Sequence, residues 1–132
     1  MIPEHKNVTP DPGKPCPAVS AILSRIGDKW SVLVVMQLGQ GTKRFSTLKR
    51  QVEGISQRML TLTLRGLERD GLVARHVHHS VPPKVEYSLT DLGRSLCGPV
   101  QALGAWAIEH RYEIDAARQR FDQAASEAEQ AA

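Results

Sequence analysis

Apolar side chains recur at three- and four-residue intervals over much of the chain, the spacing that places them on one face of an α-helix. A first short helix is predicted to stop at Gly27, and its apolar stripe consists of Val19, Ile22, Leu23 and Ile26. A second helix is predicted over residues 29–38, with Asp28 as its N-cap. Because the run VLVVM makes it apolar on nearly every side, we expect this helix in the centre of the core.

Two more helices are predicted on either side of a tight turn at residues 52–55. The first is short, and its apolar residues are Phe45, Leu48 and Val52. The second runs from an N-cap at Ser56 to about residue 69 and has two faces. One face contains Ser56, Leu60, Leu64 and Leu67 and is predicted to be core. The opposite face is predicted to meet solvent or a ligand, and it contains Arg58, Thr61, Leu62 and Arg65.

The segment after Gly71 changes to a strand pattern, because the runs LVARHVHH and KVEYSL are rich in β-branched and aromatic residues. Joined by SVPP, they predict a two-stranded hairpin. Thr90 and Asp91 then begin a long helix that is predicted to bend at Pro99 and to continue to about residue 112. Its apolar residues are Leu92, Leu96, Val100, Leu103, Trp106 and Ile108.

This order of elements predicts an α+β fold, namely a winged helix-turn-helix domain with a two-stranded wing. In such a domain the second helix of the pair fits the major groove of B-DNA, and the hairpin reaches the adjacent groove. We expect the domain to occupy residues 16–112. Residues 1–15 are rich in proline and predict a flexible arm, and residues 113–132 form an acidic, Ala-rich tail that could extend the last helix.

Composition narrows the class of protein. The 132 residues are 41% hydrophobic and 23% charged, as in one ordinary globular domain. No apolar run approaches the roughly 20 residues of a bilayer span, and the start lacks a secretory signal, so we expect a cytoplasmic protein without a membrane partner. The two cysteines, Cys16 and Cys97, form no CxxC motif, which argues against a zinc module. No Gly-rich phosphate loop is present, and no cofactor is expected.

Charge is distributed unevenly along the chain. Residues 43–84 contain nine basic and three acidic residues, an excess of +6, whereas residues 109–132 contain three arginines and six acids. A basic middle and an acidic tail predict a polyanionic partner that meets the middle segment. A solvated basic face without a partner is the alternative on charge alone.

Three segments resemble the HxlR-type transcriptional regulators, winged-helix relatives of the MarR proteins. They are DKWSVLVVMQL, KRFSTLKRQVEGISQRMLTLTLRGLERDGLVAR and VPPKVEYSLTDLGRSL, and the resemblance extends over residues 16–107. It implies a bacterial or archaeal regulator that binds double-stranded DNA as a homodimer. It also implies that ISQRML begins the recognition helix, that VPPKVEY is the second half of the wing, and that the N- and C-terminal helices dimerise. Leu62 departs from the family, which usually has a polar residue such as glutamine there.

The candidate DNA contacts combine the polar face of the recognition helix with neighbouring basic residues and the wing. They are Lys43, Arg44, Lys49, Ser56, Gln57, Arg58, Thr61, Leu62, Arg65, His79 and Lys84. We expect Lys84 and His79 to meet phosphates, and Leu62 to replace a base-reading hydrogen bond by contact with a thymine methyl group. The candidate dimer contacts are Leu96, Val100, Leu103 and Trp106.

Two smaller signals concern metals and thiols. The HVHH run invites a zinc interpretation, but His76 and His78 share one strand face while His79 points away, and no further ligand lies nearby, so no metal site is predicted. Cys16 precedes Pro17 at the start of the first helix, where the helix dipole favours a thiolate. Some members of the resembled family sense oxidants or quinones with a cysteine at this position. Cys16 is therefore a candidate sensor, with a half-buried structural cysteine as the alternative.

Two other function classes stay open from the sequence. One is a small thiol enzyme that uses Cys16 or Cys97 with a histidine, although no paired carboxylates or oxyanion turn support it. The other is a protein-interaction module built on the last helix. Steep loss of duplex affinity with salt would distinguish a DNA-binding protein from both.

Overall fold

The computed structural model describes residues 16–131, so the arm predicted for residues 1–15 lies outside the described residues. Five helices and three strands alternate along this part of the chain. Their bounds are α1 Pro17–Ile26, α2 Lys29–Leu38, β1 Lys43–Arg44, α3 Phe45–Gln51, α4 Gln57–Arg69, β2 Val73–His78, β3 Lys84–Leu89 and α5 Asp91–Ala131.

The predicted helix starts are confirmed by their capping hydrogen bonds. The Asp28 carboxylate accepts the backbone N–H of Ser31 at 3.2 Å, and Ser56 Oγ accepts that of Met59 at 3.0 Å. Thr90 Oγ1 accepts the N–H of Gly93 at 3.1 Å at the start of α5. Each cap satisfies a backbone donor that the first turn of a helix leaves without an intrahelical partner.

Helix α2 lies in the centre of the core, as its sequence predicts. Val34, Val35 and Leu38 of this helix are buried against residues from α3, α4 and the sheet. The remaining buried apolar residues of the core are Leu48, Val52, Ile55, Leu60, Leu64, Leu67, Leu72, Val73, Tyr87, Leu89 and Val100. A helix that is apolar on most sides is stable in water only when several elements cover it.

The sheet has three antiparallel strands in the order β1-β3-β2, not the two predicted for the wing. Strands β2 and β3 form the predicted hairpin, with Val73 opposite Leu89 and His78 opposite Lys84. The additional strand pairs Lys43 with Tyr87, on the outer side of β3. Two residues are too few to show the alternation that identifies a strand in a sequence, so only the distant partner reveals it. With this addition the architecture is a winged helix-turn-helix.

Helix α5 continues without interruption for 41 residues, well past the predicted end near residue 112. At about 1.5 Å per residue it is roughly 60 Å long. The predicted boundary between residues 112 and 113 therefore falls inside a helix, and Pro99 also lies within it. No helix among residues 16–131 combines the length and the apolar character that crossing a membrane requires.

Candidate DNA-binding surface

The turn between α3 and α4 is held by buried apolar residues on both sides of one glycine. Val52 and Ile55 are each 2% exposed, and the N–H of Val52 donates to the carbonyl of Leu48 at 2.8 Å. Gly54 between them has a φ of 84°, a conformation that side chains with a Cβ rarely adopt. The turn thereby sets the angle at which α4 leaves α3, as a helix-turn-helix requires.

Helix α4 has the two faces that its sequence predicts. Leu60, Leu64 and Leu67 are buried, whereas the side chains of the opposite face are exposed. The exposed set is Gln57, Arg58, Thr61, Leu62 and Arg65. The prediction that Ser56 lies in the core is wrong. It is exposed, because its hydroxyl lies at the start of α4 and caps the helix.

The arginines of this face are available for an external anion. Ion pairs between described residues involve Arg25, His78 and Arg94, so Arg58 and Arg65 pair with no described carboxylate. Leu62 lies on the same exposed side and is 51% exposed. A guanidinium can form a bidentate hydrogen bond with guanine, and a leucine can contact a thymine methyl group, so this face presents two kinds of base contact.

Two residues of this face already bond within the helix. Thr61 Oγ1 donates to the carbonyl of Gln57 at 2.9 Å, which leaves its oxygen free to accept a hydrogen bond from a base or a backbone group. Gln57 is in the first turn of α4, where its amide is exposed. Its side chain can bond adenine at two atoms.

Lys43 differs from the other predicted DNA contacts. Its Nζ donates to the amide oxygens of Gln40 at 3.0 Å and Gln51 at 2.5 Å, and lies 3.5 Å from that of Gln37. This ammonium therefore joins α2 to α3 and has acceptors within the protein. Its predicted contact with DNA stays a prediction, and in the absence of DNA the ammonium already has acceptors within the protein. Arg44 and Lys49 are exposed beside the helix-turn-helix, as is Arg50, which is not among the predicted contacts.

The wing carries a separate basic group at its tip. Lys84 and His79 are exposed at the two ends of the loop between β2 and β3. His76 Nε2 lies 3.0 Å from Ser88 Oγ, and His78 Nε2 lies 3.2 Å from Glu86 Oε2, so both imidazoles bond to strand β3. Within residues 16–131, no three metal-ligating side chains come close enough to hold an ion.

Comparison with known proteins supports this geometry. The model of the HxlR-like helix-turn-helix family matches residues 25–115. The chain belongs to the HxlR-like helix-turn-helix family. The resemblance drawn from the three sequence segments is therefore confirmed. This HxlR-like protein is a helix-turn-helix transcriptional regulator.

Individual relatives cover most of this HxlR-like chain. The HTH-type transcriptional regulator YybR of Bacillus subtilis is 44% identical over 115 residues, which are 87% of this chain and 90% of the relative. The structure of transcriptional regulator YtfH from Salmonella typhimurium has a TM-score of 0.73 at 39% identity. The match covers 79% of this chain and 92% of the YtfH chain. The structure of the redox regulator HypR in its oxidized form has a TM-score of 0.66 at 48% identity, and the match covers 71% of this chain and 96% of the HypR chain.

The HxlR-like chain also exposes many large apolar side chains on α1 and α5. Helix α1 buries none of its residues, and α5 exposes most of its apolar ones. The large apolar residues exposed on these two helices are Val19, Ile22, Leu23, Leu92, Leu103, Trp106, Ile108, Tyr112 and Phe121. A groove of about 870 Å³ lies between α1 and the start of α5.

The four predicted dimer contacts divide into two pairs. Leu103 and Trp106 are 58% and 52% exposed. Leu96 is partly covered by the core, and Val100 is 5% exposed within it. Val100 is thus a core residue of the monomer, because the helical turn that carries it faces the rest of the domain. Of the four predicted contacts, Leu103 and Trp106 are the two that are more than half exposed.

The two cysteines of the HxlR-like chain lie in different surroundings. Cys16 is the exposed N-cap of α1 and makes no side-chain capping bond. Cys97 is half-buried in α5, with its Sγ 3.8 Å from the carbonyl oxygen of Gly93. The half-buried cysteine is therefore Cys97, and the thiol of Cys16 is accessible to solvent.

Proposed function

We propose that this chain binds a specific double-stranded DNA operator as a homodimer, through α4 in the major groove and the wing alongside. The observation that supports this most directly is the exposed face of α4, which combines Arg58 and Arg65 with polar and apolar groups and has no described carboxylate partner. Base-reading side chains on the second helix of a helix-turn-helix are the arrangement that such domains use to contact the major groove.

The contacts divide by chemistry. Gln57, Arg58 and Arg65 can address base edges, and Leu62 suits a thymine methyl group. Arg44, Lys49 and the wing residue Lys84 are exposed cations outside that face, and cations there contribute by neutralising phosphates. Base contacts then determine which sequence is bound, while phosphate contacts supply affinity that depends on salt.

The apolar surface of α1 and α5 supports a homodimer. Exposed Leu, Ile and Trp residues on two helices of a small domain are typical of a protein interface. A two-fold axis at this surface would present two copies of α4 to one duplex. Their half-sites would lie one helical turn apart, roughly 34 Å, on an inverted repeat.

Cys16 supplies a route for regulation by oxidants or electrophiles. Its thiol is exposed at the start of α1, and the structurally similar HypR is a redox regulator with structures in an oxidized and a reduced form. A peroxide would convert the thiol to a sulfenic acid and release water, and a quinone would add to the sulfur and become a substituted hydroquinone. Either product changes the group that begins α1.

The test begins with selection of DNA. Purified protein is mixed with a random duplex library, and the retained fragments are sequenced. The expected result is an enriched inverted repeat that binds far more tightly than a scrambled duplex, with affinity that falls steeply as salt rises. Failure to enrich any sequence, together with salt-independent retention, would overturn the proposal and favour the interaction-module alternative.

A further inference from the structure

Helix α1 is joined to the recognition helix by one arginine. Arg25 lies in the last turn of α1, and its Nε donates to Asp70 Oδ2 at 2.9 Å. Asp70 is the C-cap residue of α4. The bond therefore spans from the end of one helix to the end of the other.

The same guanidinium lies against the backbone of α4 at Gly66. A Cβ atom built on Gly66 would lie only 2.5 Å from Arg25 Cζ, closer than non-bonded atoms approach. Gly66 is buried, and a glycine inside a helix costs about 1 kcal/mol relative to alanine. Helix α4 thus has a residue of low helix propensity at the point where the Arg25 guanidinium packs against it.

The contribution of this contact to folding stability is small. The side chains of Arg25 and Asp70 are 36% and 35% exposed, and ion pairs of that exposure typically contribute about 1 kcal/mol or less. A gain in folding stability therefore does not explain why Arg25 meets both an aspartate and a glycine of α4.

Helix α1 has few other attachments to the described domain. None of its residues is buried, and Ile26 is its one residue that packs against the core cluster. A groove of about 870 Å³, which Arg25 and Asp70 also line, lies between α1 and the start of α5. A helix held so lightly can change its position, and Arg25 is the side chain that links its position to α4.

We infer that Arg25 is a positioning residue that orients α4 on DNA according to where α1 lies. This rests on the proposed function, because it concerns DNA binding by α4. Anything that moves α1, such as a subunit on its apolar face or a modified Cys16 at its start, reaches the recognition helix through the Arg25 guanidinium on Gly66 and Asp70.

The decisive variant is Gly66→Ala. Its new Cβ meets only the far end of a flexible side chain, so the protein folds and α4 gains helix propensity while Arg25 is displaced. We expect the thermal midpoint to equal or exceed that of the wild type. Affinity for the selected operator duplex should nevertheless fall about five- to tenfold, with binding to a scrambled duplex unchanged.

Two more variants complete the test. Arg25→Gln should reproduce the loss, and the double variant Arg25→Gln/Gly66→Ala should bind no more weakly than either single variant, since both remove one contact. Arg69→Ala is the matched control, because it removes an exposed charge from the same end of α4 and should weaken both duplexes alike.

The outcomes separate this inference from the proposed function. If the wild type selects an operator and Gly66→Ala binds it with unchanged affinity, Arg25 does not orient α4 and the inference is wrong. Additive losses in the double variant would overturn it as well. If the wild type selects no duplex at all, the proposed function fails before this question arises.

Discussion

Replacement of Arg58 by alanine tests the recognition face most directly. Arg58 is the second residue of α4 and is exposed, and no described carboxylate pairs with it. Its removal leaves no buried charge and no cavity. We therefore expect the free energy of unfolding to change by no more than about 0.5 kcal/mol.

The expected effect on binding is much larger. An arginine that bonds a base edge contributes about 1–3 kcal/mol, and a homodimer makes the contact at both half-sites. The two sites are well separated, so their losses add to about 2–6 kcal/mol. The dissociation constant for the operator should rise by about 30-fold or more, whereas a purely phosphate contact would weaken all duplexes alike.

The assay is fluorescence anisotropy with the selected operator and a scrambled duplex at several salt concentrations. Arg118→Ala is the matched control, because it removes an exposed arginine from the acidic part of α5, away from the helix-turn-helix. Arg65→Ala is measured in parallel. If both Arg58→Ala and Arg65→Ala bind the operator like the wild type, with unchanged circular dichroism, the recognition face has been misassigned.

Four further predictions address the wing, base preference, the dimer and the thiol. Lys84→Ala should lower affinity for every duplex and reduce the salt slope by about one unit per subunit; a loss confined to one sequence would contradict a phosphate role. Leu62→Gln should shift the preferred base at one position of each half-site from thymine to adenine in the selected sequences, and an unchanged selection would argue against contact there. Aspartate at both Leu103 and Trp106 should yield a folded monomer in sedimentation at micromolar concentration, because both side chains are exposed in the monomer; a persistent dimer would locate the interface elsewhere. Mild oxidant or quinone should change DNA binding of the wild type but not of Cys16→Ser, and equal responses would end the sensor hypothesis.

Local patterns in the sequence determined most of the helix-turn-helix. The spacing of Leu60, Leu64 and Leu67 decides which side of α4 is buried, so Arg58 and Arg65 are placed on the exposed side by the helical period alone. The caps at Asp28 and Ser56 are equally local, since each side chain bonds a backbone N–H three residues later. Features that depend on neighbours a few residues apart are readable without tertiary structure.

Only the tertiary structure decided the features that depend on distant partners. Strand β1 exists because Tyr87 lies opposite Lys43, and the Lys43 ammonium has three glutamine oxygens within 3.5 Å because the fold brings residues 37, 40 and 51 together around it.

Val100 and Leu103 belong to the same apolar pattern of α5, three residues apart. The packing of α5 on the domain nevertheless buries Val100 and leaves Leu103 exposed. The contact of Arg25 with Gly66 and Asp70 joins residues more than forty positions apart. A periodic pattern predicts which face of a helix is apolar and which is polar. Which other element covers the apolar face depends on how the whole chain packs.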